Sequence, residues 1–106
     1  STKVDDEFLT QMNAIIEENI ANPELNVAFL ASELGISRSG LFSKIKALAD
    51  VTPNEMIQVI RLRRAALLLQ QNKYRINEVC YMVGFNSPSY FTKCFQISKN
   101  FGRNFR

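Results

Sequence analysis

A chain of 106 residues that is 46% apolar, with only 4 Gly and 3 Pro, can hold one hydrophobic core and is too apolar to be a disordered tail. No run approaches the roughly 18 apolar residues of a membrane span, and no charged-then-apolar segment opens the chain as an export signal. There is no His, so the usual general base and a common zinc ligand are both missing. The ten acidic residues lie mostly singly on predicted helix surfaces, so the sequence predicts no enzyme, no cofactor and no metal. Cys80 and Cys94 sit in apolar helical patterns without metal-type spacing and read as reduced core thiols.

The net charge of +3 is unevenly spread. Residues 1–25 set Lys3 against Asp5, Asp6, Glu7, Glu17, Glu18 and Glu24, a balance of −5. Residues 26–37 add only Glu33, −1, whereas residues 38–106 carry twelve Lys or Arg against Asp50, Glu55 and Glu78, +9. A face presented to a polyanion and ordinary surface charge fit this division equally well.

Six helices are predicted in chain order. The first spans 5–21, where Phe8, Met12, Ile15, Ile16 and Ile20 recur at helical spacing before Asn22 and Pro23 end it. The second, 27–34, is carried by Val27, Leu30, Ala31 and Leu34, with Gly35 suited to its C-terminal turn. Ser37 caps the third, 38–49, whose buried stripe is Leu41, Ile45 and Leu48. Thr52, Pro53 and Glu55 form a capping box with Pro at the first helical position, opening the fourth helix, 53–71, through Ile57, Ile60, Ala65 and Leu68. The fifth, 77–83, turns Val79, Cys80 and Val83 inward and is closed by Gly84. Ser87 and Pro88 start the sixth, which carries Phe91 and Phe95 inward to Ser98. No segment alternates with period two, so the fold class is all-α.

The sequence repeats itself. At an offset of 49, set by Gly35 and Gly84, Val27 matches Ile76, Leu30 matches Val79, Ala31 matches Cys80 and Leu34 matches Val83. Beyond the glycine the offset is 50, because the second turn is one residue longer, and Leu41 and Ile45 match Phe91 and Phe95. Each copy is a short helix, a glycine turn and a longer helix, which is the helix-turn-helix pattern. Its first helix braces the second, whose N-terminal half lies in the DNA major groove. Ala31 and Cys80 are small where two helices cross closely, and both glycines are expected at positive φ.

One domain, 1–106, is therefore expected, with a first helix-turn-helix subdomain at 5–50, a linker helix at 53–71 and a second subdomain at 76–106. Nineteen linker residues give roughly 28 Å of rod at about 1.5 Å per residue. Major-groove faces repeat every ~34 Å, so two recognition helices could enter adjacent grooves, with DNA bending if they sit closer.

Over residues 8–103 the chain resembles the DNA-binding domain of AraC/XylS-type bacterial transcription regulators. The residues that carry the likeness are Leu30-Ala31-Ser32-Glu33-Leu34-Gly35-Ile36-Ser37 with 41–46, then Thr52-Pro53, 60–65 and Leu68-Leu69. Most specific are Ile76-Asn77-Glu78-Val79, Val83-Gly84-Phe85, and Ser89-Tyr90-Phe91-Thr92-Lys93 with Phe95. The stretch from Lys44 to Leu69 looks like the output domain of hybrid two-component regulators. The resemblance implies two helix-turn-helix subdomains joined by a linker helix, six to seven helices in all. It also implies a cytoplasmic bacterial protein, held at the nucleoid by double-stranded DNA. Members sometimes contact RNA polymerase as well. The family's last helix usually follows a Thr-Pro that this chain lacks after Gly102, which puts a seventh helix in doubt. A chain that begins without Met reads as a piece of a larger regulator.

Burial of Leu41, Ile45 and Leu48 leaves Ser39, Gly40, Phe42, Ser43 and Lys46 on the opposite face of the third helix. By resemblance, Ser39, Phe42 and Ser43 hold the family's base-reading positions. Relatives often have Arg where Ser43 stands, so this helix lacks an obvious bidentate guanine reader. Its hydroxyls and Phe42 suit thymine methyl contacts or water-mediated readout, unless Phe42 belongs to the core. In the sixth helix Pro88, Ser89, Thr92, Lys93 and Gln96 face outward. Lys93 replaces a common Arg and would meet either guanine or a phosphate. Arg38, Lys44, Lys46, Arg61, Asn86 and Gln96 are the candidate phosphate contacts. Arg63 and Arg64 fit a solvated face or acidic partners better than DNA. The competing function is a helical protein-interaction module, with Phe42 and the acidic first helix meeting a partner protein and no DNA being read.

Overall fold

The computed structural model describes residues 2–101 and, among them, six α-helices and no strand. They are α1 (Lys3–Glu18), α2 (Val27–Leu34), α3 (Arg38–Ala49), α4 (Pro53–Gln70), α5 (Ile76–Met82) and α6 (Pro88–Phe101). The all-α class is as expected, and none of these helices is long and apolar enough to cross a membrane. A seventh helix would fall outside the described residues. The chain divides into two compact units, one of residues up to Asn19 with Glu24–Gln58, the other of Ile20–Pro23 with the chain from Val59 onward.

In the first unit, the Thr2 hydroxyl accepts the Asp5 N–H at 3.1 Å and opens α1. The helix stops at Glu18, short of the expected 21. Asn19 closes it: its side-chain amide and its own N–H both donate to the Ile15 carbonyl, at 2.8 and 3.2 Å. Asn26 Oδ1 accepts the Phe29 N–H at 2.8 Å and starts α2. Gly35, at φ 70°, ends it. Its N–H reaches the Ser32 carbonyl while the Ile36 N–H reaches Ala31, both at 3.1 Å, a Schellman closure. Ser37 Oγ then accepts the Gly40 N–H at 3.0 Å and starts α3. Met12, Ile16, Leu30, Ala31, Leu41 and Ile45 are buried; Leu48 is half-buried.

The capping box of α4 forms in both directions. Thr52 Oγ1 accepts the Glu55 N–H at 3.1 Å, and Glu55 Oε1 accepts the Thr52 N–H at 2.8 Å. That backbone bond, ahead of the hydroxyl bond, holds the Glu55 carboxyl below its usual range.

The second unit repeats the first with altered means. α5 begins where Glu78 Oε1 accepts the Arg75 N–H at 2.8 Å, a carboxylate reaching back to the residue before the helix, whereas Asn26 reaches forward into the first turn of α2. Gly84, at φ 89°, closes it. The Gly84 N–H meets the Tyr81 carbonyl at 3.2 Å and the Phe85 N–H meets Cys80 at 3.0 Å, the Schellman bonds of the first unit moved on by 49 residues. After one additional turn residue, Ser87 Oγ accepts the Tyr90 N–H at 3.3 Å and α6 begins.

Ile60, Leu62, Ala65, Val79, Cys80, Val83 and Phe91 are buried. Phe91 sits edge-on to Phe85, ring centroids 5.1 Å apart, and 5.7 Å from Phe95. Cys80 and Cys94 are free and buried, and burial pushes the Cys80 thiol up. The repeat is looser than the pattern suggests, most of all at the helix start: Val27 is half-buried, but its match Ile76 is 43% exposed, because it stands at the open first turn of α5. Leu62, absent from the expected stripe, is buried, and Phe95 is only half-buried. α6 runs past the expected Ser98 to Phe101.

Candidate nucleic-acid interface

The outward faces of α3 and α6 are built alike. In each, a serine before the helix caps it and lies 3.3 Å from the hydroxyl of the serine two residues later: Ser37 with Ser39, and Ser87 with Ser89. Each first turn is thus pinned by its own cap. The Leu41 N–H bonds the Ser37 carbonyl and the Phe91 N–H bonds the Ser87 carbonyl, both at 2.9 Å. Burial of Leu41 and Phe91 then fixes which side chains turn outward.

On α3 these are Ser39, Gly40, Phe42 and Ser43, all exposed. Phe42 is 48% exposed, which decides against its being a core residue. An open groove of about 530 Å³ runs beside it, lined by Val27, Arg38, Ser39, Phe42 and Ser43. Val27 is the lining residue that reasoning from the sequence missed, since its apolar type and helical spacing mark it only as core. On α6, Ser89 and Lys93 are exposed, while Pro88 and Thr92 are half-buried. Tyr90, on the flank of this face and 53% exposed, belongs to the motif that carries the likeness but not to the residues expected to touch DNA. Its ring lies 6.1 Å from Phe85, and a hydrogen bond with the Cys94 side chain holds its phenol above the usual value.

The candidate phosphate contacts divide. Arg38, Lys46, Asn86 and Gln96 are exposed. Lys46 pairs with Asp50 at 3.1 Å, one turn along α3, an exposed pair worth little and easily exchanged for a phosphate. Lys44 is half-buried, its ammonium 4.9 Å above the Phe8 ring. Arg61 departs most from expectation. It is half-buried and donates to the Asn22 carbonyl at 2.6 Å, with Nε buried and lacking a partner among the described residues. Desolvation lowers its pKa. A Cβ on Gly84 would approach its guanidinium to 2.9 Å and collide with the Ile20 carbonyl. Arg61 thus lies behind the α5–α6 turn and is tied to the Asn22 carbonyl within the second unit, a position that its charge alone does not reveal. Among the described residues no group of His, Cys, Asp or Glu is placed to hold a metal.

The helix-turn-helix domain family matches residues 30–104 of this chain, and a transcriptional regulator from Chromobacterium violaceum with an AraC-type DNA-binding domain has the same fold. That structure aligns at a TM-score of 0.82 over 93% of this chain and 88% of that one, with 28% identity. The chain belongs to this family, as an AraC-type DNA-binding domain. Two relatives add context. The domain is 50% identical over 99 residues to Histidine kinase P4 of Formosa agariphila, matching 93% of this chain but 7% of the kinase. It is 30% identical over 95 residues to the transcriptional activator AggR of Escherichia coli, matching 90% of this chain and 34% of that protein. The domain thus spans a small part of the curated relatives it matches. The family is one of DNA-binding transcription regulators.

Proposed function

We propose that the domain reads a specific double-stranded DNA sequence with α3 and α6, each entering a major groove, and thereby regulates transcription. The observation that carries this reading is the duplicated, serine-capped outward face, Ser37–Ser39 and Ser87–Ser89, presented by two helix-turn-helix units. The residues assigned to bases are Ser39, Gly40, Phe42 and Ser43 from α3, with Pro88, Ser89, Thr92 and Lys93 from α6. Arg38, Lys44, Lys46, Asn86 and Gln96 set register on phosphates. Lys93 is the one long cation among the base-facing residues, and its exposed side chain supports assigning it to guanine O6 and N7.

The likeness to a histidine kinase supports a further assignment, that the domain is the output module of a larger cytoplasmic regulator of the hybrid two-component type. Selection from random duplexes tests the core of the proposal. A recurring sequence bound about 10³-fold or more above bulk DNA is expected at physiological salt. Absence of any enriched sequence would overturn it.

A further inference from the structure

We infer that the groove beside α3 reads the 5-methyl group of thymine, with Phe42 and Val27 as the residues that set this specificity. The inference rests on the DNA-reading function proposed above and names what the first unit reads. Three observations converge on it.

First, the groove opens along the first turns of α3, the half that a recognition helix carries into the major groove. Second, its walls are apolar where a DNA-facing surface is ordinarily polar: the Phe42 ring is 48% exposed, and Val27 adds a branched side chain from α2. Among the groups that base pairs display in the major groove, the C5 methyl of thymine is the one that projects apolar bulk; cytosine shows only a C5–H at that position, and the others are hydrogen-bond donors and acceptors. An exposed phenyl ring facing that edge has one apolar counterpart. Third, the polar rim fits the surroundings of such a methyl. Arg38 brings a cation to the phosphate side, and Ser39 and Ser43 offer short hydroxyls that reach base edges without preferring guanine. Ser39 is held by its contact with the capping Ser37. The groove is open rather than enclosed, so it suits a group offered on a flat base edge, not a small molecule that must be engulfed.

The test uses the 106-residue chain and the duplex recovered by selection. Each thymine in turn is replaced by deoxyuridine, which removes the methyl and keeps every hydrogen-bonding group. Burying one methyl corresponds to roughly three- to fivefold in affinity, so a loss of that size is expected at one thymine or more. In Phe42→Ala, a substitution at an exposed site, the thymine and deoxyuridine duplexes should bind equally at those positions. Val27→Ala should shrink the ratio by part of the same factor. Equal binding of both duplexes by the original chain at every position would overturn the inference, as would an unchanged ratio in Phe42→Ala or a selected site lacking thymine where α3 binds. These results leave sequence-specific binding standing. A selection that enriches nothing removes the DNA-reading function and this inference together.

Discussion

The two helix-turn-helix units share a backbone plan and differ in what it carries. Both close their first helix with the same pair of Schellman hydrogen bonds on a glycine at positive φ, and both open their second helix with a serine cap. Yet an added Cβ at Gly35 would meet nothing within 4 Å, while at Gly84 it would strike the Ile20 carbonyl and crowd Arg61. The first turn is a free surface turn; the second is packed from behind. The exposed faces differ in the opposite sense. The first unit offers hydroxyls and the Val27–Phe42 groove, the second a lysine and a tyrosine. Backbone geometry is thus what the duplication kept, and side-chain chemistry is what each copy was free to change.

The largest expected effect separates the two glycines. Gly84→Ala combines unfavourable positive φ with a backbone clash and should cost about 3 kcal/mol in urea unfolding, whereas Gly35→Ala carries only the φ term, about 1 kcal/mol. Equal losses would erase the distinction between a packed and a free turn. Next is the Arg61 bond. Arg61→Met removes this charged hydrogen bond to the Asn22 carbonyl and should destabilise the fold by about 1–3 kcal/mol. DNA affinity may be compared over a salt series: an internal contact leaves the slope unchanged, and a slope lowered by about 1 would make Arg61 a phosphate contact.

The two recognition helices can be compared through aligned positions. Lys93→Ala should weaken the selected site by about 1–3 kcal/mol and relax one base position. Ser43→Ala, its counterpart on α3, should lose about 1 kcal/mol or less, the value of a neutral hydrogen bond. Equal losses on selected and bulk DNA would reassign Lys93 to a phosphate.

The smallest effect is one of pH. The folded Glu55 carboxyl is held below its usual value by the Thr52 N–H, so its stabilisation is present above the unfolded pKa, about 4.3. It is lost as pH falls through the lower, folded value. Thermal melts of Glu55→Gln should lie slightly below those of the original chain at pH 7 and converge with them in acid. A gap that persists below the folded pKa would show that charge is not the cause.

Where local chemistry dictates structure, the sequence was legible. The end of α2, the start of α3 and the start of α4 follow from Gly35, Ser37 and the Thr52–Glu55 box, each a side chain or backbone preference acting within four residues. The end of α1 was misplaced because Pro23 is the louder signal, while Asn19 closes the helix through side-chain and backbone hydrogen bonds to Ile15. The outward faces of α3 and α6 followed from periodicity, and so did most of the candidate interface. What periodicity cannot give is the environment of a charge. Arg61 adjoins other basic residues in sequence and reads as a DNA contact, but its partner, Asn22, lies 39 positions away. The Val27–Phe42 groove was invisible for the same reason, since it joins two helices across a turn.

Hydroxyl-radical footprinting of the selected duplex tests the paired reading most directly. Two protected windows are expected, centred 10–10.5 base pairs apart on one face of the DNA, with protection weakening mainly in one window in Lys93→Ala and in the other in Phe42→Ala. A single protected window, or two windows that weaken together in both variants, would contradict a domain that reads DNA with two separate and unequal helices.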